Sequence, residues 1–298
     1  MSMSKKDYVY ADIIEDSDDD GFEIEVEVPS KTKKLAKKSK VKVVDNDVKP
    51  KEEENDGEPK GALVKKPRAK IIATPLRKCL HEDSNIVEIG VDEAGRGPLF
   101  GRVYAAAVIL PKDDSFEHSN VKDSKKFHSK KKIEEVANYI KANALSWAVA
   151  FEDEQTIDQI NILQATQQAM HKAILSAKKQ YVAKTALEQT SIHLLIDGNY
   201  FKPITNYNNE KKKIESLPFT CVEGGDNKFS SIAAASILAK VERDRYIDEL
   251  CNKNPELAER YSIDSNKGYG AKKHLDGIKE HGITIWHRKT FGICKEHC

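Results

Sequence analysis

The stretch Asp92-Glu-Ala-Gly-Arg-Gly-Pro-Leu-Phe-Gly101 constrains the fold of this chain more than any other. An apolar run, residues 86–91, leads into it, and a second strand-like run, residues 103–110, follows it. The pattern predicts two strands joined by a sharp turn that carries two acids and exposed backbone. Because adjacent strand residues point to opposite faces, Asp92 and Glu93 can reach one point only if the strand ends or bulges. The glycines that follow favour such an ending, so we expect Glu93 to turn toward the side of Asp92.

Two carboxylates beside exposed backbone N–H groups are typical of a divalent-metal site that faces a phosphate. A solvated turn is the alternative interpretation of an isolated Asp-Glu pair, and two further acids argue against it. Asp197 ends the apolar run 192–197, which predicts a buried central strand with the acid at its carboxyl end. Asp226 follows a glycine pair, at or before the start of a small-residue helix over residues 230–245. The dipole of that helix favours a negative charge there.

The remaining apolar patterns predict alternating strands and helices. Ser129 is the expected N-cap of a helix whose inner positions include Ile133, Val136, Ala137 and Ile140. Further strands are predicted at residues 146–151 and 217–222. Further helices are predicted at residues 160–176, with Ile160, Leu163, Met170 and Ile174 inward, and from the Lys267-Gly-Tyr-Gly segment through Glu280. The polar, lysine-rich residues 207–215 are expected to form an exposed loop.

Charge patterning divides the chain into two parts. Charged residues make up 33% of the 298 residues, more than the roughly 25% of an ordinary globular domain. Residues 1–82 alternate acidic and basic blocks that cannot bury enough apolar surface, so we expect a disordered tail and a folded domain at residues 83–298. The basic block at residues 31–42 suits a nuclear address or a nonspecific nucleic-acid contact, and a solvated spacer is as good an interpretation. Ile13 and Ile14, followed by acids around Ser17, are a candidate docking motif for a protein partner.

The net charge, the apolar runs and the cysteines limit the classes of protein to which this chain can belong. The net charge of +1 means that nucleic-acid binding has to be argued from local patches. No apolar run is long enough to span a membrane and no signal-peptide core leads the chain, so we expect no membrane partner and a cytoplasmic location, or a nuclear one through the basic block. Five irregularly spaced cysteines predict free thiols in a reducing compartment. A monomer is the default expectation.

Oxygen ligands at strand ends and helix starts suit Mg²⁺ or Mn²⁺ better than structural zinc. Two such ions about 3.5–4 Å apart can activate a water and stabilise the leaving oxygen in phosphodiester hydrolysis. The lysine-rich segment 122–132 and the glycine turn would then supply a nucleic-acid surface. The sequence therefore predicts a metal-dependent site built by Asp92, Glu93, Asp197 and Asp226.

Six ordered blocks across residues 86–291 resemble the type 2 ribonuclease H family in its bacterial form, ribonuclease HII. The blocks are 92–99 with 105–110, Asp123-Ser-Lys-Lys, Asp197-Gly-Asn, 231–245, Lys267-Gly-Tyr-Gly and His287-Arg-Lys-Thr-Phe. The resemblance implies an α/β, ribonuclease H-like fold: a mixed five-stranded sheet flanked by helices, with a C-terminal helical extension. It implies a metal-dependent endonuclease that hydrolyses the RNA strand of RNA–DNA hybrids and nicks 5′ of single ribonucleotides in duplex DNA.

The resemblance also implies residue roles. Asp92, Glu93, Asp197 and Asp226 match the four acidic metal ligands of the family, with Asp92 shared between two ions. The remaining matches are substrate contacts: Gly95, Arg96 and Gly97 in the turn that recognises the 2′-hydroxyl, Tyr269 as the tyrosine that stacks on the following deoxyribose, and Ser124, Lys125 and Lys126 in a nucleic-acid-contacting block. The 2′-hydroxyl is the group that distinguishes RNA from DNA, and glycine lets backbone approach it closely.

The chain departs from the family pattern in four places. Phe100 and Arg102 stand where a small residue and a proline are expected, and Glu223 precedes the glycine pair where a lysine is usual. The segment between Asp197 and Asp226 is longer than usual, and the charged tail has no counterpart. Two competing hypotheses remain: another nuclease on the same fold, and a catalytically silent hybrid-binding protein. The glycine turn and the tyrosine argue against the first, and the clustered acids argue against the second.

Overall fold

The computed structural model describes residues 75–127, 129–186, 191–209 and 211–298. Residues 1–74 of the predicted tail, which include the docking motif, therefore lie outside the described residues, whereas its residues 75–82 are described. Within these ranges the strands are β1 Ile86–Ala94, β2 Val103–Ile109, β3 Ser146–Glu152, β4 Ser191–Asp197, β5 Thr205–Asn208, β6 Lys213–Ser216 and β7 Phe219–Val222. The α-helices are α1 Lys130–Asn143, α2 Glu154–Thr185, α3 Ser230–Lys253, α4 Glu256–Tyr261, α5 Ile263–Asn266 and α6 Lys272–His281.

Five of the strands form one mixed sheet in the order β3-β2-β1-β4-β7, which confirms the predicted sheet. β1 pairs antiparallel with β2 and parallel with β4, and β4 pairs parallel with β7. The parallel register sets Val91 beside Ile196. Asp92 and Asp197, the next residue of each strand, therefore emerge side by side at the same edge of the sheet, as the sequence predicted.

Helices cover both faces of the sheet. On one face α2 packs Ala169, Met170 and Ile174 against apolar residues of the central strands. On the other face α3 and α1 bury an alanine-rich core. The small residues let α3 approach closely: a Cβ on Gly90 of β1 would lie 2.2 Å from the backbone carbonyl carbon of Ser231. Ser129 caps α1 as predicted, its hydroxyl accepting the N–H of Lys132 at 3.4 Å.

A separate apolar cluster joins the C-terminal helices to the turn after β1. Fully buried Phe100 packs there with Ile247, Tyr261, Ile278 and Cys294. This cluster confirms the predicted C-terminal helical extension. It also explains one departure from the family pattern, because the large ring of Phe100 fills space between the turn and the extension instead of facing solvent.

The structure corrects three local predictions. β1 does not end or bulge at Glu93, since its regular antiparallel pairs continue to Ala94 opposite Tyr104. The helix predicted at residues 160–176 extends over the whole of α2, with a non-helical residue at Asn161 (φ 67°, ψ 162°), and Leu163 is exposed rather than inward. The predicted loop 207–215 overlaps β5 and β6, which pair antiparallel with Tyr207 opposite Ile214, and the side chains of both residues are exposed.

The segment before β1 contacts the domain ahead of its predicted start at residue 83. The carbonyl of Arg77 accepts the N–H of Ser230 at 3.0 Å. The buried carboxylate of Glu88 accepts the N–H groups of Leu80 and His81. These contacts join residues 77–81 to β1 and to the start of α3. All five cysteines are free thiols.

None of the helices in the described ranges combines the length and the apolar character that crossing a membrane requires.

Candidate active site

A cleft of about 310 Å³ opens at the edge of the sheet where β1 and β4 end. Seven of the residues singled out from the sequence line it: Asp92, Glu93, Gly95, Ser124, Lys125, Asp197 and Tyr269. They come from two strands, the turn after β1, the segment before α1 and the loop before α6. The sheet register and the C-terminal extension thus bring together groups that are far apart in sequence.

Asp92 is the most deeply placed acid of the cleft, with 5% of its surface exposed. Its carboxylate accepts the backbone N–H of Glu93 at 2.7 Å. Burial, followed by the neighbouring charges of Glu93 and Asp197, raises the pKa of Asp92 well above its ordinary value. The surroundings of Asp92 therefore disfavour its charged form.

Glu93 and Asp197 flank Asp92. Burial also raises the pKa of Glu93, although Arg96 opposes the shift through an ion pair of 3.2 Å. One carboxylate oxygen of Asp197 accepts the N–H of Gly225 at 2.6 Å. A Cβ on Gly225 would lie 2.5 Å from the side chain of Ile232. A side chain at residue 225 would therefore require Ile232 to shift.

Asp226 lies in a short 3₁₀ turn, Gly225–Asn227, and does not itself line the cleft. Only 4% of its surface is exposed. Burial, then the charges of Asp123 and Asp197, raise its pKa. The Lys125 ammonium lies 3.6 Å from its carboxylate and offsets part of that repulsion. Asp226 is therefore within electrostatic reach of Asp197, as the sequence predicted.

The donor set fits a hard divalent cation, because all four predicted ligands offer carboxylate oxygens and three of them have raised pKa values through burial and mutual repulsion. The geometry fits less closely. Among the residues that the structure describes, no group of three or more His, Cys, Asp or Glu side chains is placed to hold a metal ion as the side chains stand. Glu93 faces Arg96 and Asp226 faces Asn227 and Lys125, so ligation would require these two side chains to rotate.

The glycine turn is held by a residue that sequence reasoning did not assign to the site. Arg288 is fully buried, and its guanidinium donates to the backbone carbonyls of Gly95 (2.6 Å), Arg96 (3.0 Å), Pro98 (2.8 Å) and Gly101 (2.8 Å). Burial, then the nearby Arg243 cation, lower the pKa of Arg288 to about 9. The signal in the sequence was its place in the His287-Arg-Lys-Thr-Phe block, whose partners only the fold reveals.

Gly95 itself has a positive φ of 93°. A Cβ there would lie 2.4 Å from Nε of Arg243. Arg243 is 3% exposed, so this arginine of α3 is buried instead of lying on a solvated face of the helix. It lines the cleft beneath the turn and donates to the carbonyl of Lys267 at 2.7 Å.

The loop that carries Tyr269 lies directly against the turn. The N–H of Leu99 donates to the carbonyl of Gly268 at 2.9 Å. The Tyr269 ring is half exposed, and a Cβ on Gly97 would lie 3.5 Å from it. Gly97 and Tyr269 are therefore neighbours, as a joint substrate contact requires, although Gly97 and Arg96 do not line the cleft.

The predicted nucleic-acid-contacting block divides into different environments. Ser124 is buried, and its hydroxyl lies 3.0 Å from that of Ser236, which in turn hydrogen bonds to Asp92. The side chain of Lys125 is exposed, and Lys126 donates to Asn227. Ser236 was another site residue that the sequence did not single out. Its position in the small-residue helix facing the end of β1 was the available signal.

Comparisons with known proteins agree with this geometry. Residues 89–294 match the family model described as Ribonuclease HII. Ribonuclease HII of Phocaeicola vulgatus is 44% identical over 213 residues, covering 71% of this chain and 92% of that protein. Ribonuclease HII of Parabacteroides distasonis is 44% identical over 210 residues, covering 70% and 92%.

A solved structure, the ribonuclease H2 from Pyrococcus horikoshii, superposes with a TM-score of 0.53. It is 21% identical, and the match covers 70% of this chain and 96% of that chain. At this identity the likeness shows the fold alone, and it confirms the predicted ribonuclease H-like fold. The family model matches residues 89–294, and ribonuclease HII of Phocaeicola vulgatus is 44% identical over 213 residues. This chain therefore belongs to the ribonuclease HII family and is a ribonuclease H.

Proposed function

We propose that this protein is an endonuclease that hydrolyses the RNA strand of RNA–DNA hybrids and nicks duplex DNA on the 5′ side of a single embedded ribonucleotide, leaving a 5′-phosphate. One observation carries the proposal: a single cleft joins the buried Asp92 and the partly buried Glu93 and Asp197, at the ends of β1 and β4, to a glycine turn and a half-exposed tyrosine. The family relationship supports the hybrid-cleaving chemistry. The turn and the tyrosine support recognition of an RNA-to-DNA step.

The proposed cofactor is Mg²⁺ or Mn²⁺, held by Asp92, Glu93, Asp197 and Asp226. When bound, such ions activate a water and stabilise the leaving oxygen of a phosphodiester. The side chains contribute position and charge. Asp92 and Asp197 leave adjacent strands in register and approach the scissile phosphate together. Glu93 and Asp226 complete the set from either side once they rotate away from Arg96 and Asn227.

The glycine turn is the proposed sensor of the 2′-hydroxyl. RNA and DNA differ at each sugar by a single 2′-hydroxyl. A backbone group can therefore distinguish them only if its position relative to the sugar is fixed. Arg288 supplies that rigidity by binding the carbonyls of Gly95 and Arg96. Gly97 is exposed and leaves the surface free of a side chain where the sugar would approach, and Gly95 leaves room for Arg243 to pack against the turn.

Tyr269 is the proposed sensor of the deoxyribose that follows the ribonucleotide. Its ring is half exposed beside Gly97, so a sugar held by the turn would have its 3′ neighbour over the ring. A flat apolar face tolerates a deoxyribose and is crowded by an added hydroxyl. Lys125 and Lys126, at the other side of the cleft, are proposed contacts to backbone phosphates.

The remaining proposals concern the molecule as a whole. We propose a monomeric enzyme acting on duplex substrates, in the cytoplasm or, through the basic block at residues 31–42, in the nucleus. Residues 1–74 are proposed to act as a tether or address, with a partner docking near Ile13. Removing them should leave turnover at saturating substrate within about twofold, because every residue of the cleft lies in the described domain. A large loss of turnover would contradict this role.

The test of the main proposal compares a DNA duplex carrying one ribonucleotide with its all-DNA twin, each with Mg²⁺, with Mn²⁺ and with chelator. Asp92→Asn is the matched variant, and Asp114→Asn, at an exposed position, is its control. We expect a nick 5′ of the ribonucleotide that needs metal, survives in the control and falls at least about 10³-fold in Asp92→Asn, equivalent to about 4 kcal/mol of activation free energy.

Each alternative has its own outcome in this experiment. Equal cutting of both duplexes would indicate a nuclease that does not recognise the 2′-hydroxyl. Binding of the ribonucleotide duplex without cleavage under every metal condition would indicate the silent hybrid-binding protein.

A further inference from the structure

Two buried imidazoles contact each other behind the loop that carries Tyr269. His274, from α6, is fully buried, and His287 is 1% exposed. Their Nε2 atoms lie 3.1 Å apart. Apolar and aromatic groups surround them, among them Phe100 and Tyr261. Buried polar rings in such surroundings are costly unless each nitrogen has a partner.

The hydrogen bonds of the pair fix the proton on each ring. The backbone N–H of Thr284 donates to Nδ1 of His287 at 2.9 Å, so this nitrogen carries no proton and Nε2 of His287 does. Nε2 of His274 must then accept from His287, which leaves the proton of His274 on Nδ1. That Nδ1–H donates to the carbonyl of Tyr269 at 2.9 Å. Both rings are neutral, and burial lowers the pKa of each, that of His287 to about 3.

The result is a directional chain of donors that ends on the backbone of Tyr269. The two preceding carbonyls of the same loop are bound by other elements, that of Lys267 by Arg243 and that of Gly268 by the N–H of Leu99. The carbonyl of Tyr269 also accepts the backbone N–H of Ala271 at 2.7 Å, so His274 supplies the donor that ties this carbonyl to α6 and to His287. The Tyr269 ring is half exposed and lies 5.7 Å from the guanidinium carbon of Arg243, so the bonds to its backbone add to that contact in placing the ring beside Gly97.

His287 also precedes Arg288, whose guanidinium binds the glycine turn. One short segment therefore sets the position of both surfaces that would contact the sugars. We propose that His274 and His287 are positioning residues that set the spacing between Tyr269 and the glycine turn, and with it the preference for an RNA-to-DNA junction over continuous RNA. This inference rests on the proposed function, in which Tyr269 contacts the deoxyribose.

The chemistry of asparagine and glutamine offers a matched pair of variants. In His274→Asn the side-chain amide nitrogen takes the place of Nδ1 and can still donate to the carbonyl of Tyr269. In His274→Gln the amide reaches the place of Nε2, keeps an acceptor for His287 and loses the donor to Tyr269. Both remove the imidazole, so a general packing defect affects both, whereas a positioning defect separates them.

The experiment measures kcat/KM of the full chain and its variants on a duplex with one ribonucleotide and on a continuous RNA–DNA hybrid. Tyr269→Ala defines the complete loss of junction preference. We expect the ratio of the two values to fall about tenfold in His274→Gln and to stay within about threefold of wild type in His274→Asn, since small displacements near the reacting groups cost factors of this order. The loss should appear in the junction substrate and leave cleavage of the hybrid nearly unchanged.

Retention of the wild-type ratio in His274→Gln would overturn the proposal, and so would an equal fall in both variants. A wild-type protein with no junction preference would contradict the proposed function instead. In that event amide hydrogen exchange at residues 267–271 still tests the positioning role. Faster exchange in His274→Gln than in His274→Asn supports it, and equal rates overturn it.

Discussion

The two sides of the cleft differ in how their polar groups are compensated. One side concentrates like charges, and the other pairs backbone carbonyls with buried donors. The acid edge, defined here as the cleft residues Asp92, Glu93 and Asp197 together with Asp226 next to them, concentrates like charges. Three of its members have pKa values raised by burial and by neighbouring acids. The recognition wall, defined as the turn 95–101 and the loop 267–269, consists of backbone whose carbonyls have buried donors from Arg243, His274 and Arg288.

The difference follows from what each side would have to do. A surface that recognises one hydroxyl group needs fixed geometry, and neutral, fully bonded backbone supplies it. A site that binds divalent ions needs concentrated negative charge, which the folded chain tolerates at a cost to stability. Substitutions on the two sides should therefore change the free energy of unfolding in opposite directions.

Arg288→Met should give the largest effect on the recognition wall. The change leaves the carbonyls of Gly95, Arg96, Pro98 and Gly101 buried without their donor. We expect a loss of about 3–5 kcal/mol in the free energy of unfolding, the usual range when one partner of a buried charged network is removed. Urea denaturation measures it. The exposed neighbour offers the control, since Lys289→Met should stay within about 0.5 kcal/mol of wild type. Similar losses in both variants would mean that the turn does not depend on Arg288.

Gly95→Ala should have the next largest effect. Its positive φ and the 2.4 Å approach of an added Cβ to Arg243 predict a loss of about 2–3 kcal/mol. Gly97→Ala is the matched control two residues away, where a Cβ would make an ordinary contact of 3.5 Å with Tyr269. It should leave the free energy of unfolding nearly unchanged and lower cleavage at a single ribonucleotide. Thermal unfolding beside kcat/KM separates the two effects, and equal destabilisation by both variants would contradict the argument.

The acid edge was predictable from the sequence because its signals are local. Asp92 and Asp197 each end an apolar run, and the ends of neighbouring parallel strands meet at one sheet edge. The expectation that β1 bulges at Glu93 failed for a non-local reason: β2 continues beside it as far as Tyr104. Strand length was set by the partner strand and not by the glycines that follow.

The recognition wall was only half predictable. The glycine turn and Tyr269 stood out through their motifs, whereas the residues that hold them did not. Arg288 lies 193 positions from Gly95, whose carbonyl it binds. His274 and His287 form a pair through the packing of the C-terminal extension around Phe100. No periodicity or spacing encodes such contacts, because they depend on how the helices of that extension pack against the turn.

Asp92→Asn should change the free energy of unfolding in the opposite direction from the substitutions on the recognition wall. In metal-free buffer the neutral amide removes a buried charge beside Glu93 and Asp197, so the variant should be more stable than wild type by about 0.5–2 kcal/mol. Added Mg²⁺ or Mn²⁺ should raise the melting temperature of wild type, since binding to the folded state alone is stabilising. The variant should gain much less. Thermal unfolding with chelator and with each metal measures both effects. A variant less stable than wild type in chelator would show that the acid edge is not electrostatically strained.

His287, which hydrogen bonds to His274 outside the recognition wall, should contribute a pH dependence to the free energy of unfolding. The pKa of His287 is lowered from its ordinary value of 6.5 to about 3, chiefly by burial and next by His274. Between these values the unfolded chain binds a proton that the folded chain does not. The contribution of His287 to stability is therefore complete above pH 6.5 and is lost as the pH falls toward 3, by at most about 1.4 kcal/mol per pH unit. In His287→Asn the amide oxygen can still accept from Thr284 but does not titrate. Urea denaturation from pH 7 to pH 4.5 should show a shallower loss of stability in the variant, with the carboxylates common to both proteins cancelling in the difference. Parallel pH profiles would mean that His287 can take up a proton without leaving its place, and that the donor chain to Tyr269 is not fixed.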